Sequence, residues 1–158
     1  MIAIKTILLP TDGSDSSKKA TAYAFSFGKQ YSARLVVLHV IDQRWVEHPP
    51  YVLLEAGMEA AEKIRKGYAE EAEYRLREVA EAATKAGVAV ETRLEIGIPV
   101  EEIIRVAKGL PADMIIMGTH GRTGVSHALL GSVAEKVVRR APCPVLTVRL
   151  EEHDFISP

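Results

Sequence analysis

The chain carries one cysteine, no long apolar run and almost no net charge, and each shortage removes a class of protein. A single Cys143 in 158 residues cannot form an internal disulfide, and no Cys/His cluster stands at metal-ligand spacing, so the usage fits a reducing compartment. Cys143 lies between Pro142 and Pro144 at the start of a strand pattern, where a small buried hydrophobe is the expectation rather than a nucleophile. No stretch reaches the roughly 20 apolar residues of a membrane span. The opening MIAIKTILLP is too short for the apolar region of a signal peptide and reads as a first strand. A cytoplasmic location without membrane association is expected. The net charge is −1 with dispersed basic residues, which gives no nucleic-acid footprint. Two phosphate motifs are missing as well: no Gly-Lys-Ser/Thr follows the glycines, and G-x-G-x-x-G does not occur.

What remains is 47% hydrophobic and 26% charged, enough apolar material for one core. A single domain is expected over residues 1–150, with 151–158 (EEHDFISP) as a tail of no clear structure. Strand-like and helix-like patterns alternate along it. Ile4 to Leu9, Arg34 to Ile41, Val88 to Ile96, Asp113 to Met117 and Pro144 to Leu150 read as strands, the second rich in β-branched residues as a buried strand should be. Ser14 to Tyr31, Glu55 to Ala86, Pro99 to about Lys108 and Ser132 to Arg140 read as helices. The longest has Glu→Lys/Arg pairs four residues apart on an exposed face, and Gly87 stops it. Asp42 to Leu54, with Trp45 and Tyr51, reads as a loop or lid. Five strands joined by helical crossovers imply parallel pairing with helices on both faces, an open three-layer α/β/α sandwich. Ligands of such sheets bind beyond the carboxyl ends of the strands, where the strand order reverses.

Two loops carry the chemistry. After the fourth strand comes GTHGRTGVSHALLGS, in which Gly118, Gly121 and Gly131 are spaced by two and nine residues and Ser132 follows. Strand, flexible loop and helix start in that order make a cradle for phosphate, because backbone N–H groups and the helix dipole converge. Glycine there permits positive φ and close approach of backbone to a ligand. Ser132 and Glu135 also form an S-x-x-E capping box, so Ser132 can serve its own helix instead. After the first strand comes PTDGSDSS, where Asp12 can accept hydrogen bonds from ribose or meet a phosphate-borne metal, or simply shape a turn. Val40 and Ile41, at the end of the second strand, can receive an adenine ring through main-chain groups, while His39 reads as a core or strand-end residue.

These stretches, with TILLPTDGS, VVLHVID, the turn at Gly97 to Pro99 and LLGSVAEKVVRRAPCPVLTVR, resemble the universal stress protein family over nearly the whole chain. The resemblance implies a Rossmann-like sheet of the adenine nucleotide α-hydrolase type, in order 3-2-1-4-5. The glycine spacing resembles that of ATP-binding members. On that likeness Pro10, Thr11, Asp12 and Val40 would surround adenosine. Met117, Gly118, Gly121, Arg122, Gly131, Ser132 and Val133 would hold ribose and phosphates, with Mg or Mn near Asp12. It also implies a homodimer through the last strand, Pro144 to Leu150.

The leading expectation is an ATP-binding sensor or regulator of the stress response, whose occupancy alters a surface read by an unknown protein partner. A slow ATPase or a transferase related to PP-loop enzymes is the enzymatic alternative. Arg122 and His120 could stabilise charge there, but no general base stands out. A nucleotide-free dimeric interaction module is the third.

Overall fold

The computed structural model describes residues 1–44, 57–120 and 130–151. They form β1 (Thr6–Pro10), α1 (Asp15–Tyr31), β2 (Arg34–Asp42), α2 (Met58–Lys85), β3 (Val90–Gly97), α3 (Pro99–Gly109), β4 (Met114–Gly118), α4 (Ser132–Arg140) and β5 (Val145–Val148). The strands make one parallel sheet in the order β3-β2-β1-β4-β5. The expected order and strand direction are therefore those of the protein.

Successive side chains of a strand point to opposite faces, and the central strands carry apolar residues on both. Ile7 and Leu9 of β1, Leu35 and Val37 of β2 and Ile116 of β4 face one core with Ala20, Tyr23, Ala24 and Leu76 from α1 and α2. Leu8, Val36, Leu38, Ile115 and Met117 face a second core with Val100, Ile103, Ile104 and Ala107 of α3 and Ala134 and Val137 of α4. Two helices thus cover each face. Burying each such Leu or Ile contributes about 1.5–3 kcal/mol, so the sheet's middle three strands hold most of the apolar driving force.

Local signals set the ends of the elements. Ser14 caps α1 by accepting from the Ser17 amide at 3.2 Å. Gly87, at φ +76°, lets α2 close with Gly87 N–H on the Thr84 carbonyl and Val88 N–H on the Ala83 carbonyl. Pro99 opens α3. The start of β1 is tied to β4 by the Asp113 carboxylate, which accepts from the Lys5 and Thr6 amides at 2.8 and 2.9 Å.

Strand limits move by a residue or two from the sequence reading, and β5 is shorter than Pro144 to Leu150, because β4 offers it only Ile115 to Gly118 as partners. Asp42 belongs to β2 rather than to an irregular segment. The rest of the lid candidate from Trp45 onward lies outside the described residues. Cys143 packs against the second core, and burial pushes its thiol above the ordinary value, as does the Asp113 charge. His39 is buried in β2, as a core histidine.

Candidate functional site

β1 pairs with β2 on one side and with β4 on the other, so the chain leaves the carboxyl ends of β1 and β4 toward opposite faces of the sheet. A cavity of about 430 Å³ opens at that divergence. This size falls within the range of small-molecule sites. Pro10, Thr11 and Asp12 form one wall, Met117 to His120 another, and Leu130 to Ala134 at the start of α4 a third. Leu38 and Val40 of β2, with Pro99 and Ile103 of α3, give the apolar floor. Nine of the eleven site residues expected from sequence therefore surround one space. Gly121 and Arg122 lie outside the described residues.

The β1–α1 loop is built by short-range bonds. The Asp12 carboxylate accepts from the Ser14 amide at 3.0 Å, the turn role weighed for it above. Gly13 sits at φ +76°, where a side chain would be strained. Thr11 donates its hydroxyl to Ser17 Oγ at 3.2 Å, and its amide bonds the Leu38 carbonyl at 2.9 Å, which fixes the loop to β2. From α2, Arg75 Nη1 donates to the Asp12 carbonyl at 3.0 Å, and the same guanidinium pairs with Glu71.

The loop after β4 is gathered at both ends. The Gly131 amide donates to the Thr119 carbonyl at 2.7 Å, and a Cβ on Gly131 would lie 2.8 Å from that oxygen. This closure brings Gly118 and Ser132 to one cavity although thirteen residues separate them. Two expectations are corrected here. Gly118 is an ordinary strand residue outside the positive-φ set, and what forbids it a side chain is Ser16, whose backbone carbonyl carbon would stand 2.8 Å from the added Cβ. Ser132 is the first residue of α4 and Gly131 its N-cap, so the S-x-x-E capping box does not form, because Glu135 falls one position too late. The N-cap Gly131 has no side chain with which to cap α4, and Ser132 to Ala134 of the first turn line the cavity. α1, by contrast, has Ser14 at its cap and Asp15 in its first turn.

Ser17, Leu38, Pro99, Ile103, Thr119, His120, Leu130 and Ala134 also line the cavity and were not in the expected set. Leu38 was within reach of the strand period, being two residues before Val40 and hence on the same face. Pro99 and Ile103 stand one helical turn apart, but nothing in their spacing says that α3 borders the site. Thr119 Oγ1 lies 3.0 Å from His120 Nδ1, and Ser14 donates to the His120 carbonyl at 3.4 Å, so the two loops touch directly. Among the described residues no group of three or more His, Cys, Asp or Glu gathers as a metal site, and no helix is long and apolar enough to cross a membrane.

The profile of the universal stress protein family matches residues 3–149. A universal stress protein of Methanocaldococcus jannaschii is 39% identical over 147 residues, which cover 92% of this chain and 82% of the relative. The solved structure of a second such protein from that archaeon superposes with a TM-score of 0.83 at 32% identity, covering 94% of this chain and 97% of the other. A universal stress protein solved in complex with cAMP superposes at 0.66 with 28% identity, covering 94% and 99%. With its sheet order, its two-faced core and its match from end to end, the chain belongs to the universal stress protein family.

Proposed function

We propose that the cavity between β1 and β4 binds ATP and that this occupancy is the protein's signal in the stress response. One observation carries the reading: Asp12 and the first turn of α4, with glycine at its N-cap, line the same 430 Å³ space, with an apolar floor between β2 and α3. The floor of Leu38, Val40, Ile103 and Met117 suits a flat base, and main-chain groups beside Val40 can read its edge. Asp12 is the acceptor for ribose hydroxyls, with Pro10 and Thr11 shaping that side. Amides of Ser132 and Val133 and the dipole of α4 suit the phosphates, with Gly131, whose own amide is held by the Thr119 carbonyl, and Gly118 at the end of β4 lining that side of the space. Gly121 and Arg122 join this set on the family's glycine spacing. A Mg or Mn ion would arrive with the phosphates and meet the Asp12 carboxylate. That a family member was solved in complex with cAMP supports an adenine nucleotide as the class of ligand. No residue is assigned a catalytic role. Binding is joined to a homodimer through the last strand, since β5 closes one side of the sheet as an edge.

Calorimetric titration tests this. The wild type should bind ATP, and Asp12→Ala should bind it about 10- to 100-fold more weakly, the loss of a hydrogen bond to a charged group worth roughly 1.5–3 kcal/mol. Equal affinities would remove Asp12 from the site, and a wild type that takes up no ATP would end the proposal.

A further inference from the structure

Arg75 belongs to none of the elements expected to form the site, yet it reaches the site's acidic wall. It sits in α2, in the turn between the buried Ala72 and Leu76, and its side chain is only 28% exposed. Its Nη1 donates to the carbonyl of Asp12 at 3.0 Å. A Cβ on Gly13 would fall on that same nitrogen and lie 2.9 Å from Cζ, so the guanidinium occupies the space that a side chain at position 13 would take. Glu71, one turn earlier on α2, pairs with Nη2 and braces the fork from behind. In the segment it grips, the Asp12 carboxylate accepts from the Ser14 amide, the Gly13 amide reaches Thr11 Oγ1 at 3.4 Å, and Gly13 itself is the most pliable residue type.

The geometry points to Arg75 as a positioning residue for the nucleotide cavity, one that acts through Asp12 without entering the cavity itself. By fixing the Asp12 carbonyl it fixes the peptide on which the carboxylate is mounted, and so the direction in which that carboxylate meets a sugar or a phosphate-borne metal. A preset acceptor loses less rotational freedom on binding than one that must be ordered by its ligand. The inference rests on the nucleotide reading for its ligand but not for its structural half.

A double-mutant cycle tests it. Arg75→Ala should weaken ATP about three- to tenfold in calorimetry, the range of one lost hydrogen bond, and Arg75→Lys, which keeps a cationic donor, should recover part of the loss. In the Asp12→Ala background the same Arg75→Ala change should alter affinity less than about twofold, because the group being positioned is gone. An equal loss in both backgrounds, or no loss in the first, overturns the positioning role. Amide exchange of the ligand-free protein reads the structural half alone: the Ser14 amide, bonded to Asp12 Oδ1, should exchange faster in Arg75→Ala, and an unchanged rate overturns the inference. If the wild type binds no ATP the functional reading falls, and the Ser14 amide still decides whether Arg75 sets Asp12.

Discussion

Gly118 shows how one missing methyl group can serve the scaffold at the site's edge. Its neighbour is Ser16 in the first turn of α1, whose Oγ would lie 2.6 Å from a Cβ on Gly118 and whose carbonyl oxygen would lie 2.9 Å away. That hydroxyl also donates to the Val148 carbonyl at 3.3 Å, so the contact joins α1 to the ends of β4 and β5. Backbone cannot swing aside as a long side chain can. Gly118→Ala is therefore expected to destabilise the fold by about 1–3 kcal/mol, the usual cost of overpacking, seen as a lower urea midpoint at unchanged slope. A midpoint equal to that of the wild type would mean that α1 yields freely. The glycine spacing was legible in the sequence, but what each glycine faces was not. Gly118 faces Ser16, Gly131 faces the Thr119 carbonyl, and Gly13, next to the Asp12 for which a turn role was weighed, faces Arg75. Spacing reports that a side chain is unwelcome, and only the packed neighbours say why.

At the level of elements, α3 and α4 lie side by side and are joined at the surface by Glu101 and Arg140. The guanidinium meets the carboxylate with both nitrogens, at 2.6 and 2.8 Å. These hydrogen bonds, opposed by burial, hold the Glu101 carboxyl below its ordinary value of 4.5, and the Arg140 and Lys136 charges add to the lowering. A carboxyl depressed in the folded state lends stability at pH above its unfolded value, and that contribution fades as pH falls through the folded value. Replacing Arg140 by alanine should thus raise the Glu101 midpoint toward the ordinary one in a carboxyl NMR titration, and the two proteins should differ in stability at neutral pH but not in strong acid. A Glu101 midpoint indifferent to Arg140 would refute the pairing. Being exposed, the pair orients the helices more than it stabilises them.

Element types were readable because the periods are clean. Arg34 to Ile41 is apolar on both faces, and α3 places Val100, Ile103, Ile104 and Ala107 on one stripe. The ends were less so. β5 stops with its partner β4, and α4 begins after Gly131 because the Thr119 carbonyl already holds that residue's amide, both of which are facts about neighbours far along the chain. The pair between Glu101 and Arg140, 39 residues apart, left no local trace.

For the molecule as a whole, the site is a junction of β1, α1, β2, α3, β4 and α4, so a ligand seated there should stabilise all of them together. ATP at about 100-fold its dissociation constant should add about 2.7 kcal/mol, which for a chain of this length is a rise of roughly 5–10 °C in melting temperature. The rise should grow with the logarithm of ATP concentration, and a flat response would contradict binding to the folded state. The layers were legible in the alternation of strand and helix patterns, whereas the order 3-2-1-4-5 came through family likeness. No periodicity tells β1 that its second neighbour begins at residue 114.

That order has a consequence for how the chain is made. β1 is central, paired to β2 at Thr6 to Pro10 and to β4 at Ile7 and Leu8. While a ribosome has delivered only the portion through β3, this largely apolar strand is a sheet edge, with unpaired amides and carbonyls that invite another nascent chain. The wall that holds Asp12 cannot meet its counterpart until more than a hundred further residues have emerged, so translation itself delays the assembly of the cavity.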